Sequence, residues 1–256
     1  MLVLLQEFRD AFVGFVERVG QVMRFGFQLL KLMPRGVLRV APIVEQIYNT
    51  GALSLLIVMT SGLFVGMVLG LQGFDLLRRF ASEDYLGAAA ALSLLKELGP
   101  VITALLFAGR AGTAIAAELG LMRATDQISA MEIMAVDPMR RVVLPRFLGG
   151  VIAMPLLTAT FIAIGLFGAQ LVGVQAFGVD QGSYWAQMRG GVELDDVREG
   201  LVKGAVFGVA CSLIAVFEGY NATPTAEGVG RATTRTVVTS AVVTLILDYL
   251  LTALML

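Results

Sequence analysis

The chain has 256 residues, 57% of them hydrophobic and 15% charged, with a mean hydropathy of +0.81 and a formal net charge of −1. Soluble domains carry about a quarter charged residues, and the apolar residues here form long blocks, so the composition excludes a soluble domain and predicts a multi-spanning membrane protein. The near-neutral charge gives no reason to expect a nucleic-acid partner, and the absence of histidine argues against zinc proteases, Ser-His-Asp hydrolases and imidazole proton relays.

Residues 1–44 are predicted to form an amphipathic helix in the membrane interface, followed by a basic connector. Apolar side chains recur at helical spacing through residues 1–33, while the charged ones fall mostly off that stripe. The connector carries three basic residues and two prolines. The stripe consists of Leu4, Phe8, Phe12, Phe15, Val19 and Val22.

Residues 45–256 are predicted to form one all-α membrane domain with five transmembrane helices. We expect a kink or tilt at Pro155 in the third span, and a Lys203 side chain that reaches outward from the short fourth span. The spans are expected between Glu45 and Asp75, at about Leu86 to Gly109, at Phe147 to Val179, at about Leu201 to Phe217, and from Arg235 to the carboxy terminus.

The distribution of lysine and arginine predicts the orientation of these spans. The amino-terminal region and residues 116–141 belong to the connections that carry most of the basic residues, which favours the cytoplasmic side for them. After five crossings, the carboxy terminus is expected on the opposite side. Residues 180–199 should then be extracytoplasmic, with Tyr184 and Trp185 as interfacial anchors.

Glycine recurs at every fourth position in two of the spans. This spacing allows helix backbones to approach closely. Packing within one subunit and packing across a dimer interface both agree with it. The glycines are Gly62, Gly66 and Gly70 in the first span, and Gly200, Gly204 and Gly208 in the fourth.

Glu97 is the most informative single residue, because a carboxylate inside a span is costly and usually faces protein or water. It either lines a cavity and meets substrate, or belongs to a structural ion pair. Lys96 is adjacent and points about 100° away on a helix, so at least one of the two needs another partner. The Gly99-Pro100 pair is expected to loosen the helix nearby. Asp248, in the last span, more simply pairs with a helix neighbour.

The segment 116–141 is predicted to contain a short amphipathic cytoplasmic helix. An apolar stripe begins near Arg123, Thr125 is placed to cap the helix, and Pro138 is expected to end it. A capping box from Ser129 to Glu132 is a weaker alternative. Composition agrees equally with a helix on the membrane surface and with one that docks a cytoplasmic partner.

No nucleotide-binding motif is found in the sequence, since both G-x-x-x-x-G-K-[ST] and a G-x-G-x-x-G after a predicted strand are absent. We therefore predict no catalytic residue, no metal site and no cofactor bound by this chain. If the protein performs work, the energy is expected from another subunit.

Three sequence stretches resemble the MlaE permease family, the membrane subunits of MCE-linked ABC phospholipid transporters. The longest is "LLKELGPVITALLFAGRAGTAIAAELGLMRATDQISAMEIMAVDPMRRVVLPR", from Leu94 to Arg146. The others are "GMVLGLQG", from Gly66 to Gly73, and "GVGRATTRTVV", from Gly228 to Val238. The resemblance extends over nearly the whole chain from about residue 45.

The resemblance implies an ATP-driven transporter that moves glycerophospholipids between the inner and outer membranes of a Gram-negative bacterium. The chain would be the non-catalytic permease in the inner membrane, with a cytoplasmic amino terminus and a periplasmic carboxy terminus. Its implied partners are a second copy of itself, a cytoplasmic ABC ATPase that binds ATP and magnesium, a STAS-domain protein, and a hexameric periplasmic MCE-domain protein. Phospholipid would occupy an outward-open cavity at the homodimer interface.

The resemblance also implies roles for individual residues. Glu97 matches the carboxylate that lines the lipid cavity, and Leu69 and Leu71 are candidates for lining it too. Lys96 stands where some relatives have arginine, which argues against bidentate recognition of a phosphate at this position. The segment between spans two and three matches the family's coupling helix, which docks into the ATPase. Its candidate coupling residues are Glu118, Arg123, Asp126, Gln127, Glu132 and Asp137.

Two other classes of function remain as alternatives from the sequence. A membrane-embedded lipid-modifying enzyme would need a nucleophile with a base, or clustered carboxylates, and only Glu97 and Asp248 are available inside the spans. A passive channel or scaffold would need neither an ATPase nor a coupling segment.

Overall fold

The computed structural model describes the backbone of residues 2–36 and 40–255, and side chains from residue 14 onward except at 15, 16, 35–39 and 256. Short 3₁₀ turns precede the third and fourth α-helices, and π-helical turns adjoin the fourth, fifth, sixth and eighth. The α-helices of the described residues are α1 (Leu2–Gly36), α2 (Val40–Thr50), α3 (Leu55–Arg78), α4 (Leu86–Ser93), α5 (Gly99–Phe107), α6 (Thr113–Ala124), α7 (Gln127–Ile133), α8 (Leu144–Gln170), α9 (Gln181–Gly191), α10 (Leu194–Tyr220) and α11 (Ala226–Met255).

Among the described residues, five helical units are long and apolar enough to cross a membrane, which confirms the predicted number of spans. The third continues through Pro155 as a single α-helix. The fourth begins at Leu194 and is longer than expected. In chain order the units are Val40–Arg78, Glu83–Ala124, Met139–Ala176, Leu194–Tyr220 and Ala226–Met255.

The second helical unit continues well beyond Gly109, where the sequence predicted the end of the membrane crossing. Arg110 lies inside it, and its guanidinium donates hydrogen bonds to the carbonyl oxygen of Asn49 at 2.7 Å and to Oγ of Ser54 at 3.3 Å. These acceptors satisfy the Arg110 guanidinium within the protein. The unit has 42 residues, which at 1.5 Å per residue is about 63 Å, roughly twice the thickness of a bilayer core.

The glycine stripes pack within the chain. A Cβ added at Gly66 would overlap the carbonyl oxygen of Gly165, and one added at Gly62 would lie 2.9 Å from the carbonyl oxygen of Phe161. These contacts hold α3 directly against α8. The stripe of α10 likewise approaches Leu95 at Gly200 and Met154 at Gly208. Of the two interpretations of the glycine spacing, packing within one subunit therefore accounts for both stripes.

Most side chains at the centre of the bundle are contributed by α3, α5, α8 and α10. Phe107, Phe161 and Phe207 are fully buried there. Between helices in lipid, such close packing replaces the hydrophobic effect as the main source of stability. This tightly packed core lies beside the charged side chains of the candidate functional site.

The amino-terminal region is helical, as expected, from Leu2 to Gly36. The side chains of Leu4, Phe8, Phe12 and Phe15 lie outside the described residues. Val22 packs on a buried cluster, whereas Val19 is 46% exposed. The location of this helix in the membrane interface stays a prediction.

The segment between spans two and three differs from the predicted single helix. Thr125 ends α6 rather than capping α7, because its hydroxyl donates to the carbonyl oxygen of Leu121 at 2.9 Å. Asp126 then adopts a left-handed conformation with φ 57°, and α7 covers only seven residues. Pro138 does not end α7, which stops at Ile133; it starts the next helical unit. Threonine and proline occur at both ends of helices, so the residue types alone did not show which helix end Thr125 and Pro138 belong to.

Helix α9 covers the opposite end of the bundle. The Asp180 carboxylate accepts a hydrogen bond from the Ser183 backbone at 2.7 Å, which lowers the pKa of Asp180 and caps the helix. Tyr184 is fully buried against Leu86 and Val179, and burial raises its pKa to about 12. The expectation that Tyr184 is an interfacial anchor was therefore wrong, because its ring serves as a packing contact instead.

Candidate functional site: a charged cluster within the spans

A charged cluster joins α10, α11 and the π-helical turn Leu94–Leu98, and Lys203 of α10 lies at its centre. The Lys203 side chain is fully buried. Its Nζ donates hydrogen bonds to the carbonyl oxygen of Lys96 at 2.6 Å, to Oγ1 of Thr252 at 2.8 Å and to Oε1 of Glu97 at 3.2 Å. Asp248 on α11 lies 3.6 Å from the same ammonium group.

The backbone acceptor in this cluster exists because of Pro100. In a regular α-helix the carbonyl oxygen of Lys96 would accept from the N–H of residue 100, but proline has no N–H and its ring crowds that carbonyl group. The chain responds with a π-helical turn from Leu94 to Leu98. The Lys203 ammonium group then occupies the free acceptor. The predicted loosening at Gly99-Pro100 is thus confirmed, and it provides a binding partner for a lysine on another helix.

Glu97 and Lys96 have separate partners, as their angular separation required. Glu97 also accepts a hydrogen bond from Thr252 at 3.1 Å. The Lys96 ammonium group lies 2.8 Å from Asp196 and 3.5 Å from Glu199, both on α10. The Glu97 carboxylate is therefore held in place from two other helices rather than by its sequence neighbour.

The structure corrects the sequence-based view of Lys203. It does not reach outward, since none of its side-chain surface is exposed. Burial of the ammonium group is tolerated because a carbonyl oxygen and hydroxyl group accept hydrogen bonds from it and carboxylates lie close to it. Asp248 is paired across helices with Lys203, rather than along its own helix.

The cluster contains more carboxylates than ammonium groups, and its carboxylates differ in their exposure to solvent. Two ammonium groups face four carboxylates, so the site carries excess negative charge when every group is ionised. The Glu97 side chain is 43% exposed, whereas those of Asp196, Glu199 and Asp248 are 13%, 12% and 18% exposed. Glu97 is consequently the carboxylate of this cluster that is most accessible to a bound molecule.

The two leucine candidates face different directions. Leu69 is partly buried and packs on the central core, while Leu71 is 53% exposed. They are two residues apart on α3, which on a helix is a rotation of about 200°. The structure therefore does not place both on one surface.

The six coupling candidates also divide into two groups. Glu118 and Arg123 belong to α6; Glu118 pairs with Arg146 at 3.1 Å, and the Arg123 guanidinium lies 6.0 Å from the centre of the Tyr220 ring. The other four residues are exposed on α7 and its flanking turns. They are Asp126, Gln127, Glu132 and Asp137.

Several partners in the cluster were not predicted from the sequence. Glu199 and Lys203 are spaced i, i+4 on a helix, a signal that predicts a pair along α10. Asp196 and Thr252 have no comparable local signal, because their partners come from other helices. Among the described residues, no group of three or more His, Cys, Asp and Glu side chains is arranged to hold a metal ion.

In the part of the chain that the structure describes, five helical units long and apolar enough to cross a membrane, with a charged cluster between three of them, form the architecture of a multi-pass helical membrane protein. Residues 43–254 match the family described as Permease MlaE. The chain belongs to this family, which confirms the resemblance seen in the sequence.

Individual relatives agree with this assignment. The chain is 56% identical, over 214 residues, to the intermembrane phospholipid transport system permease protein MlaE of Haemophilus influenzae, covering 83% of this chain and 82% of the relative. A probable ABC transporter permease protein of Rickettsia felis is 38% identical over 94% of this chain and 93% of its own length. The chloroplastic protein TRIGALACTOSYLDIACYLGLYCEROL 1 of Arabidopsis thaliana is 31% identical over 82% of this chain and 60% of its own length.

Proposed function

We propose that this chain is the permease subunit of an ABC transporter that moves glycerophospholipids between the inner and outer membranes of a Gram-negative bacterium. The observation that carries the proposal is Glu97, a half-exposed carboxylate fixed inside the spans by Lys203 and Thr252. Charged groups within spans mark substrate pathways. The similarity to a permease named for intermembrane phospholipid transport supplies the substrate class.

The lipid cavity is proposed to lie between two copies of the chain. In the most apolar window of the last span only 11% of residues are buried, and in that of the first span 22%, against 50–61% in the other three. Spans one and five therefore leave the most surface for a second copy. Leu71 belongs to this exposed part of α3 and is proposed to line the cavity with Glu97 and Lys96. Leu69 instead packs on the central core of the bundle.

ATP hydrolysis is assigned to a separate cytoplasmic ATPase, with a STAS-domain protein and a hexameric periplasmic MCE-domain protein as the remaining partners. The exposed residues around α7 are proposed to dock into the ATPase. Helix α6 continues through α5 and two π-helical turns to Glu97, so movement of the docked segment is transmitted along one helical unit to the cavity. Closure of the ATPases on ATP narrows the cavity and moves lipid toward the MCE protein.

The test is reconstitution of the complete complex between donor and acceptor vesicles, with labelled phospholipid and ATP. Transfer should require ATP and an intact Glu97. The Glu97→Ala variant should retain less co-purified phospholipid than the wild type, because the accessible carboxylate of the cluster is lost. Glu83→Ala, at the start of the same helical unit, is the matched control and should retain normal lipid. Unchanged lipid in Glu97→Ala would make Glu97 a structural residue.

A further inference from the structure

An amphipathic groove lies between α1 and the last two spans, far from the Glu97 cluster. Its polar chamber, of about 340 Å³, contains Glu17, Arg18, Glu218 and Arg235. An apolar slot of about 320 Å³ continues from it and shares Arg18, Glu218, Arg235 and Phe217. Apolar side chains from three helices line the slot, among them Val22, Met23, Ala210, Leu213 and Val243.

The groove is built by specific contacts between α1 and α10. Arg18 donates two hydrogen bonds to the Glu218 carboxylate, at 2.7 and 2.8 Å, and the Glu218 side chain is only 6% exposed. Deeper along α1, the Phe25 ring meets that of Phe217 edge to face at 5.5 Å. A partly buried ion pair and an aromatic contact therefore fix the separation of the groove's walls.

The charges of the chamber are complementary to a zwitterion. Arg18 and Glu218 neutralise each other, which leaves Glu17 and Arg235 as charges of opposite sign in one chamber. In the described part of the chain, Arg235 makes no ion pair. A guanidinium group is well suited to a phosphate, and a carboxylate to an ammonium group. The adjoining apolar slot is suited to an acyl chain.

We propose that this groove binds one phospholipid with a zwitterionic headgroup that bears a primary ammonium group. The phosphate contacts Arg235, the ammonium group contacts Glu17, and one acyl chain enters the slot beside Ala210 and Leu213. The lipid comes from the leaflet in which α1 lies, and it bridges α1 to the spans.

This site is distinct from the proposed transport cavity and does not rest on the transport function. Glu218 lies fifteen residues after Lys203 on α10, which at 1.5 Å per residue is about 22 Å along the helix axis. Binding in the groove and binding at Glu97 are therefore separable by substitution.

The experiment uses the full-length chain in nanodiscs of phosphatidylethanolamine and phosphatidylglycerol, with a trace of phosphatidylethanolamine that carries a photoreactive acyl chain. After irradiation, labelled peptides are identified by mass spectrometry. Label is expected on the slot residues of α10 and α11. Arg235→Gln should reduce it about tenfold, the effect of losing one charge-assisted hydrogen bond. Ala210→Phe, which fills the slot, should reduce it to the level of general lipid contact.

Two matched variants control for local disturbance. Arg231→Gln changes an arginine one turn away on α11, and Val209→Phe enlarges the neighbouring residue on α10; neither residue lines the chamber or the slot. Both should keep full labelling, as should Glu97→Gln. Equal labelling of Arg235→Gln and Arg231→Gln would overturn the proposal. So would equal labelling by a photoreactive diacylglycerol, which lacks the headgroup, or stronger labelling by a phosphatidylglycerol probe.

Discussion

At the scale of single residues, Lys203 determines how the intramembrane charges are arranged. Its partners are a backbone carbonyl group, a hydroxyl group and carboxylates, and they come from two other helical units and from its own helix. Removal of one member of a buried ion pair leaves the other charge buried without a partner. The resulting loss of stability is larger than the net stabilisation that the pair provides. The stability of the cluster is therefore expected to depend on Lys203 far more than on the half-exposed Lys96.

Substitution of Lys203 by methionine should lower the free energy of unfolding by about 3 kcal/mol, since Glu97, Asp248 and the Lys96 carbonyl group lose a common partner. Thermal unfolding of the purified chain in nanodiscs measures the effect. Lys96→Met is the matched control: its side chain is 40% exposed, so a change below about 1 kcal/mol is expected. Equal effects of the two substitutions would show that Lys203 is not the centre of the cluster.

The sequence could not reveal the partners that Lys203 has on other helices. The rule that a lysine near a helix end reaches outward uses only its position along the helix. Here the deciding groups come from Pro100, which frees a carbonyl group about a hundred residues earlier, and from Thr252 and Asp248 on the last span. In contrast, the need of Glu97 and Lys96 for separate partners followed from helix geometry alone.

At the scale of elements, the contact between α3 and α8 sets the shape of the bundle. Its glycines bring two backbones within contact distance, and no side chain can be inserted at the closest point. In lipid, such contacts contribute through dispersion forces over their whole length. Displacement of α3 would also move Leu71, which the proposed cavity requires.

Gly66→Ala should therefore destabilise the bundle by about 1–3 kcal/mol or more, because the new methyl group overlaps the Gly165 carbonyl oxygen. Gly230→Ala is the comparison, since an added Cβ there meets nothing within 4 Å. That change should be neutral or stabilising by up to about 1 kcal/mol, the difference in helix propensity. Denaturant or thermal unfolding in the same detergent distinguishes the two, and a neutral Gly66→Ala would contradict the packing account.

The sequence predicted long elements better than short ones. The five spans follow from apolar blocks that have few alternatives in a membrane. The boundaries of α7 were wrong because Thr125 forms its hydrogen bond backward to Leu121 and because Pro138 starts a helix. Both outcomes depend on backbone conformation at Asp126 and Ala135, each with positive φ, which the residue types do not specify.

At the scale of the whole molecule, the proposed docking segment directly follows the helical unit that carries the proposed lipid site. The unit runs from Glu83 to Ala124 and contains two π-helical turns, one at Glu97 and one at Arg110. Such turns are common at functional sites and give a helix a place to adjust. A displacement applied near α7 therefore has a continuous path of backbone hydrogen bonds to follow.

The double variant Asp126→Lys/Glu132→Lys should abolish ATPase assembly or ATP-driven lipid transfer, because both side chains are exposed where docking is proposed and the substitutions reverse their charge. The melting temperature of the isolated permease should not change. Co-purification of the ATPase and vesicle-to-vesicle transfer provide the measurements. Asp84→Lys, an exposed charge reversal at the far end of the same unit, should leave both normal. Full transfer by the double variant would refute the docking role.

The meeting of Pro100 and Lys203 has a consequence for how this protein can change during evolution. An alanine at position 100 would restore the missing N–H, and the Lys96 carbonyl group would then no longer need an ammonium group from another helix. The advantage of lysine at 203 thus depends partly on proline at 100, and the reverse also holds. Two residues far apart in the chain, neither of which is the exposed carboxylate, are expected to be inherited as a pair.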